Sequence, residues 1–345
     1  MKTQQAISVA ERHPWKKLGL LVILGLGVHL ILPQITTLEH SWRALQTLIP
    51  WAVALALIAQ FLSYLGSGYL LQNILMLAHQ SVRLLRSAWI VLGAASVGMV
   101  AGGMLGSSAA IYRWTSREQD HSNGATLASI LPGLFNNLVL LLVSLFGLAH
   151  LILVHELSKA QTIGFSAMMV LMGLIVGVFA WALRHREQTT ATALWFNRVA
   201  TRLLKKPFVP EETQATVDQM FTAWSAIRQG AWLEMSLGAI LIVAFDMFTL
   251  FLLFLAAGHN VNPGVLLAGY GLPLLLGKMA FVVPGGVGVV ETSMAAMYNS
   301  LGVPNPLTVV VVLGYRLISF WLPSIIGFPV AAYLQRSQAI PESSA

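Results

Sequence analysis

Cysteine is absent from the 345 residues, which excludes disulfides, thiolate nucleophiles and thiolate metal ligands. Charge is scarce as well. Asp, Glu, Lys and Arg make up 10% of the chain, where a soluble domain carries about a quarter. No cluster of His, Asp and Glu has metal-ligand spacing, so no metal is expected. The glycine-rich run Gly285-Gly286-Val287-Gly288 lacks the Lys-Ser/Thr of a phosphate-binding loop and the strand of a dinucleotide site. No nucleotide or other cofactor is therefore expected. Ser107 and Ser108 have no base beside them in sequence, which leaves nucleophilic catalysis without support.

What the chain has instead is apolar length. Hydrophobic residues make up 57% and the mean hydropathy is +0.74, the signature of an all-α polytopic membrane protein. The net charge of +7 comes from 20 Lys and Arg against 13 Asp and Glu. Those cations sit in loops beside apolar runs, a pattern of membrane topology and anionic-headgroup attraction. No segment remains for a nucleic-acid recognition module, so no nucleic-acid partner is expected.

Full crossings are expected at about 16–34, 50–78, 126–154, 162–183, 231–257 and 307–334, each able to cross a ~30 Å hydrocarbon layer. The first follows Arg12, Lys16 and Lys17 and ends in Leu-Pro-Gln without a small-x-small cleavage site. It reads as an uncleaved helix rather than a signal peptide. Two further apolar regions, 87–110 and 264–302, are interrupted by glycine and proline, including Gly102-Gly103 and Pro284-Gly285-Gly286.

Charge decides how these two regions sit. The segment 184–230 carries Arg184, Arg186, Arg198, Arg202, Lys205, Lys206 and Arg228, and the positive-inside rule places it in the cytoplasm with the N-terminus. Parity then requires 87–110 to enter and leave by the cytoplasmic face, while 264–302 dips in from the other side. That predicts an inverted repeat, with a first half at about 50–183 and a second at about 231–335. A faint echo between Val100–Gly106 and Val283–Gly288 agrees. Within 184–230, Trp195, Val199 and Leu203 recur at helical spacing, and Val217, Met220, Phe221, Trp224 and Ile227 form another apolar face after Pro210-Glu211-Glu212. Two amphipathic helices at headgroup level fit this pattern.

Five ionisable residues fall in or near the bilayer in the last third: Glu234, Asp246, Lys278, Glu291 and Arg316. A charge at the centre of a spanning helix costs about 2.5–3.5 kcal/mol, so such residues should face inward and pair. Asp246 and Glu291 are expected to neutralise Lys278 and Arg316. A structural role, holding the broken helix in place, accounts for such pairs. The functional reading has Arg316 and Lys278 receive an anionic group, since a guanidinium fork suits phosphate, with Glu291 orienting Arg316. The break at Pro284, Gly285 and Gly286 would add free backbone N–H groups at a helix start. Asp246 reads as a counter-charge or a proton-coupling group. Arg113, after Tyr112, reads as a related binder or as an interfacial arginine reaching water. His29, His150 and His155 read as packing or interfacial residues.

Val283-Pro284-Gly285-Gly286-Val287-Gly288-Val289-Val290-Glu291, followed by Gly314-Tyr315-Arg316-Leu317 and Trp321-Leu322-Pro323, resembles the signature of the lysylphosphatidylglycerol synthetase membrane-region family. Together with Gly102-Gly103 and Tyr112-Arg113, the resemblance spans most of 15–335. In larger relatives this region is the flippase half of the bacterial multiple peptide resistance factor, joined to a soluble domain that transfers lysine from charged tRNA to phosphatidylglycerol. The sequence stops at Ala345, so the resemblance implies transport rather than aminoacyl transfer. Ala101 stands where many relatives have proline, and no glutamate follows Gly106. Pro284, Glu291 and Arg316 carry over directly.

The combined expectation is a lipid flippase of the bacterial inner membrane, both termini cytoplasmic, that moves a lipid with an anionic or phosphate-bearing headgroup. The membrane lipid is its expected partner, and a homo-oligomer is compatible with the sequence. Two rivals stand beside it. One is a membrane-embedded enzyme using Glu291 and Asp246 as acid and base on a lipid-linked substrate. The other is a non-catalytic membrane partner of such an enzyme.

Overall fold

A computed structural model of the chain describes residues 48–77, 80–100, 103–116, 123–154, 158–203, 210–226, 232–279 and 284–339. The crossing expected at 16–34 lies outside them, as do His29 and His155. Every regular element among the described residues is helical, because only helices satisfy their own backbone in hydrocarbon. The chain is an all-α polytopic membrane protein.

The first four helices are α1 (Pro50–Leu77), α2 (Leu84–Val100), α3 (Met104–Thr115) and α4 (Asn123–Val154). A connecting group follows: α5 (Lys159–Arg184), α6 (Arg186–Leu203) and α7 (Pro210–Ala226). Then come α8 (Trp232–Ala256), α9 (Pro263–Met279) and α10 (Val289–Ser300), with a 3-10 turn at Pro284–Gly286 between the last two. The chain ends in α11 (Asn305–Arg316), a π-helical turn at Leu317–Trp321, and α12 (Leu322–Ala339). The same order therefore occurs twice: a long helix, one of 17 residues, one of 12, and a long helix.

Four of these helical stretches are long and apolar enough to cross a membrane: Pro50–Leu77, Gly124–Leu153, Trp232–Ala256 and Asn305–Ser337. They match four of the crossings expected from hydropathy. The expected crossing at 162–183 falls on α5, a helix of 26 residues. The two interrupted regions are helical hairpins, α2–α3 and α9–α10, whose arms pack on one another.

Packing pairs the two sets of four helices. α1 and α8 run antiparallel: Ile49 N–H donates to Ala256 O at 2.8 Å near one end, Ser63 Oγ donates to Ile242 O at 3.0 Å midway, and Gly238 lies against Leu70 towards the other. Small residues let these backbones approach, and a hydroxyl-to-carbonyl bond between spanning helices is worth about 0.6 kcal/mol on average. α9 packs on α4, with Gly147 against Ala268 and Gly271 against Ser144. α2 packs on α12, with Gly93 near Ala331 and Ser96 Oγ donating to Ser324 O at 2.6 Å. Each hairpin thus rests on the last long helix of the other set. Two apolar clusters result. One lies around α4 and α8–α11, and the other around α1–α4, α8 and α12.

Segment 184–230 contains the two helices α6 and α7, joined by an ion pair of 2.7 Å between Arg186 and Asp218. Trp195 and Phe196 stay exposed on α6. Only His185 separates α5 from α6, so α6 begins where α5 ends.

Candidate functional site

The site forms where the second hairpin breaks. Gly285 adopts φ 64° and Gly286 φ 62°, conformations that glycine reaches without steric cost. A Cβ on Gly285 would run into the Phe320 ring. The break lets α10 restart at Val289, and Glu291 in its first turn closes the end: Gly288 N–H donates to Glu291 Oε2 at 2.6 Å. The backbone N–H at this position, expected to be free for an anion, is thus taken by the glutamate. The remaining oxygen, Oε1, accepts from Arg316 Nε at 2.6 Å, with both side chains only 6% exposed.

Arg316 is held on three sides. Besides Glu291, its Nη2 donates to Gly285 O at 2.9 Å, and its guanidinium lies 4.4 Å from the centroid of the Phe320 ring. The π-helical turn after Arg316 carries Ser319 and Phe320, and inserted π turns recur at functional sites. Arginine, carbonyl, carboxylate and ring together pin the helix break to the last long helix.

Asp246 does not pair as expected. Among the described residues no ion pair joins it to Lys278 or Arg316. Its Oδ2 instead accepts from Tyr270 OH and Tyr315 OH, both at 2.7 Å, and buried Gln60 on α1 lies beside it. The reason is position: α8 faces the buried rings of α9 and α11, while Lys278 lies two turns beyond Tyr270. Lys278 Nζ donates to the neutral Asn137 Oδ1 on α4 at 2.7 Å.

A cavity of about 170 Å³ joins these groups, lined by Asp246, Lys278 and Arg316 with Asn136, Tyr270, Tyr315, Ser319 and Phe320 among others. Glu291 lies behind Arg316. Glu234 is in the first turn of α8 and exposed, away from the cavity. Arg113 sits in the last turn of α3, exposed and outside the cavity lining. His150 packs its ring onto Gly264.

Sequence reasoning missed Gln60, Asn136, Asn137 and Tyr270. The signal existed for three of them: an amide inside an otherwise apolar span is a polar residue seeking a protein partner. Tyr270 offered none, since a lone tyrosine in a span reads as packing. No group of three His, Asp or Glu side chains among the described residues is placed to hold a metal.

Residues 17–327 match the family described as lysylphosphatidylglycerol synthase TM region. Among curated proteins, a UPF0104 membrane protein of Pyrococcus horikoshii is 33% identical over 89 residues, 24% of each chain. One of Methanocaldococcus jannaschii is 32% identical over 92 residues, 27% of each chain. One of Methanothermobacter thermautotrophicus is 33% identical over 97 residues, 27% of this chain and 29% of the relative. The chain thus aligns with about a quarter of the length of these relatives.

Proposed function

The chain belongs to the lysylphosphatidylglycerol synthase transmembrane-region family, and on that premise we propose that it moves a phosphate-bearing lipid between the leaflets of a cytoplasmic membrane. The observation that carries this reading is the cavity among spanning helices in which Arg316, fixed by Glu291 and Gly285, stands with Lys278. A headgroup enters such a cavity while its acyl chains stay in lipid. Arg316 supplies N–H donors already oriented, and Lys278 supplies a point charge bonded, among the described residues, to a neutral amide. Glu291 positions Arg316, and the Pro284-Gly285-Gly286 break supplies the carbonyl that holds its second nitrogen.

The packing supports an inverted repeat of 50–183 and 231–335. The leading helices of the two sets, α1 and α8, run antiparallel, and each hairpin rests on the closing helix of the other. That arrangement and the charge in 184–230 support hairpins entering from opposite faces, six crossings and cytoplasmic termini. The enzyme reading is weaker here, because both oxygens of Glu291 are engaged, by Gly288 and by Arg316, leaving it poorly placed to carry protons.

Reconstitution into vesicles tests the proposal. Acyl-labelled phospholipids should become accessible to a membrane-impermeant quencher far faster with the protein than without it. Arg316→Ala and Glu291→Ala should abolish most of that gain, while Arg83→Ala, at an exposed residue outside the cavity, should keep it. Equal rates for all three would sink the assignment.

A further inference from the structure

Among the described residues, two opposite charges that line the cavity share no ion pair. Arg316 is already neutralised by Glu291. The other two ionisable groups lining the same space are Lys278, bonded to an uncharged amide, and Asp246, bonded to two phenols. An inward carboxylate within a spanning segment is expensive without a cation, and an acid that repels phosphate is a poor feature for a site receiving only an anion.

We infer that the cavity recognises a small zwitterionic headgroup, a phosphate and an ammonium a few bonds apart. This rests on the lipid-transport reading above and names its substrate class. The phosphate goes to Arg316 and Lys278. The ammonium goes to Asp246. Both phenols bond to the same oxygen, Oδ2, and a carboxylate has about four lone-pair sites, so accepting capacity remains toward the cavity that Asp246 lines. Tyr270 and Tyr315 line it too, their rings meeting edge to face at 6.3 Å. Aromatic faces beside a carboxylate are the environment an ammonium takes. Asn136 and Ser319 add uncharged hydrogen-bonding groups to the lining.

The cavity, about 170 Å³, has room for a small polar headgroup.

The test uses the full chain in vesicles with phosphatidylethanolamine, phosphatidylglycerol and N-acetyl phosphatidylethanolamine, each labelled on an acyl chain. The unmodified amine lipid should move at least tenfold faster than the other two. Asp246→Asn should erase that preference, and Lys278→Met should slow all three. Equal movement of the three lipids would overturn the headgroup assignment while leaving transport standing.

Retention of the same lipids by the detergent-solubilised protein separates the two readings. Selective retention of phosphatidylethanolamine without movement would overturn transport and keep the zwitterion site; absence of preference in both measurements would overturn the site. Because the lipid series needs no substitution, a misfolded Asp246→Asn does not blunt the test. Soluble glycerophosphoethanolamine should compete far less well than the lipid. Competition equal to the lipid's would assign the cavity to a soluble phosphoamine instead and overturn the lipid assignment.

Discussion

The hairpins α2–α3 and α9–α10 share a backbone plan and differ in chemistry. Both join a helix of 17 residues to one of 12, and both turn at a glycine with positive φ, Gly103 at 65° and Gly285 at 64°. In both, the arms close over a glycine: Gly98 lies against Ser107, and Gly277 against Val290. After its turn, however, the first hairpin offers Gly106 and Ser107, and Ser107 Oγ merely returns a bond to Gly103 O at 3.2 Å. The second offers Glu291, which reaches Arg316 on another helix. Two hairpins of like backbone plan thus differ in the contacts they make beyond the turn. The break is a matter of glycine conformation; the site needs an acid after the turn, where Glu291 stands and the first hairpin has Ser107 nearby.

The largest effect should come from the ion pair. Arg316→Ala or Glu291→Ala leaves a buried charge alone, and such changes cost about 3–5 kcal/mol. Thermal unfolding in detergent should show a large loss for either single variant. Replacing both, as Glu291→Gln with Arg316→Met, should recover much of the stability but none of the lipid movement. Recovery of movement as well would reduce the pair to scaffolding and make the two hairpins equivalent.

Next in size is Gly285→Ala. A left-handed conformation costs a non-glycine residue about 1–3 kcal/mol, and the added carbon meets Phe320. It should both destabilise the protein and slow transport, with partial relief by Phe320→Leu. Gly98→Ala in the other hairpin, crowding Ser107, should lower the unfolding temperature while leaving the relative rates for different headgroups unchanged. A changed headgroup preference would give the first hairpin a share of recognition.

Tyr270→Phe and Tyr315→Phe each remove one donor to Asp246, worth about 1 kcal/mol. Each should lower lipid movement a few-fold, and the double variant more. A rate unaffected by the double variant would detach Asp246 from the site. The smallest effect belongs to Arg113→Ala, at an exposed position outside the cavity. Its rate should fall less than twofold in the vesicle assay; a loss matching that of Arg316→Ala would place substrate chemistry in both hairpins.

Much of this was legible beforehand in particular residues. The apolar run between Pro50 and Leu77 and that between Trp232 and Ala256 announce their own helices. Pro284-Gly285-Gly286 announces a break. Glu291 and Arg316 could be matched because buried opposite charges must find one another and few were on offer. The same rule misled for Asp246 and Lys278. It treats charge as the only partner, whereas phenols and an amide carry enough hydrogen-bonding capacity to hold an ion without cancelling it.

Hydropathy and glycine conformation act within a helix or a turn, so the chain alone determined its membrane class, four of its spans and the place where the second hairpin breaks. Which helices become neighbours is not a local property. Tyr270 lies 24 residues from Asp246 and Tyr315 lies 69, while Asn137 is 141 residues from Lys278. Only the antiparallel seating of α9 on α4 and the packing of α8 against α9 and α11 brought them together, because close packing fixes which side chains meet.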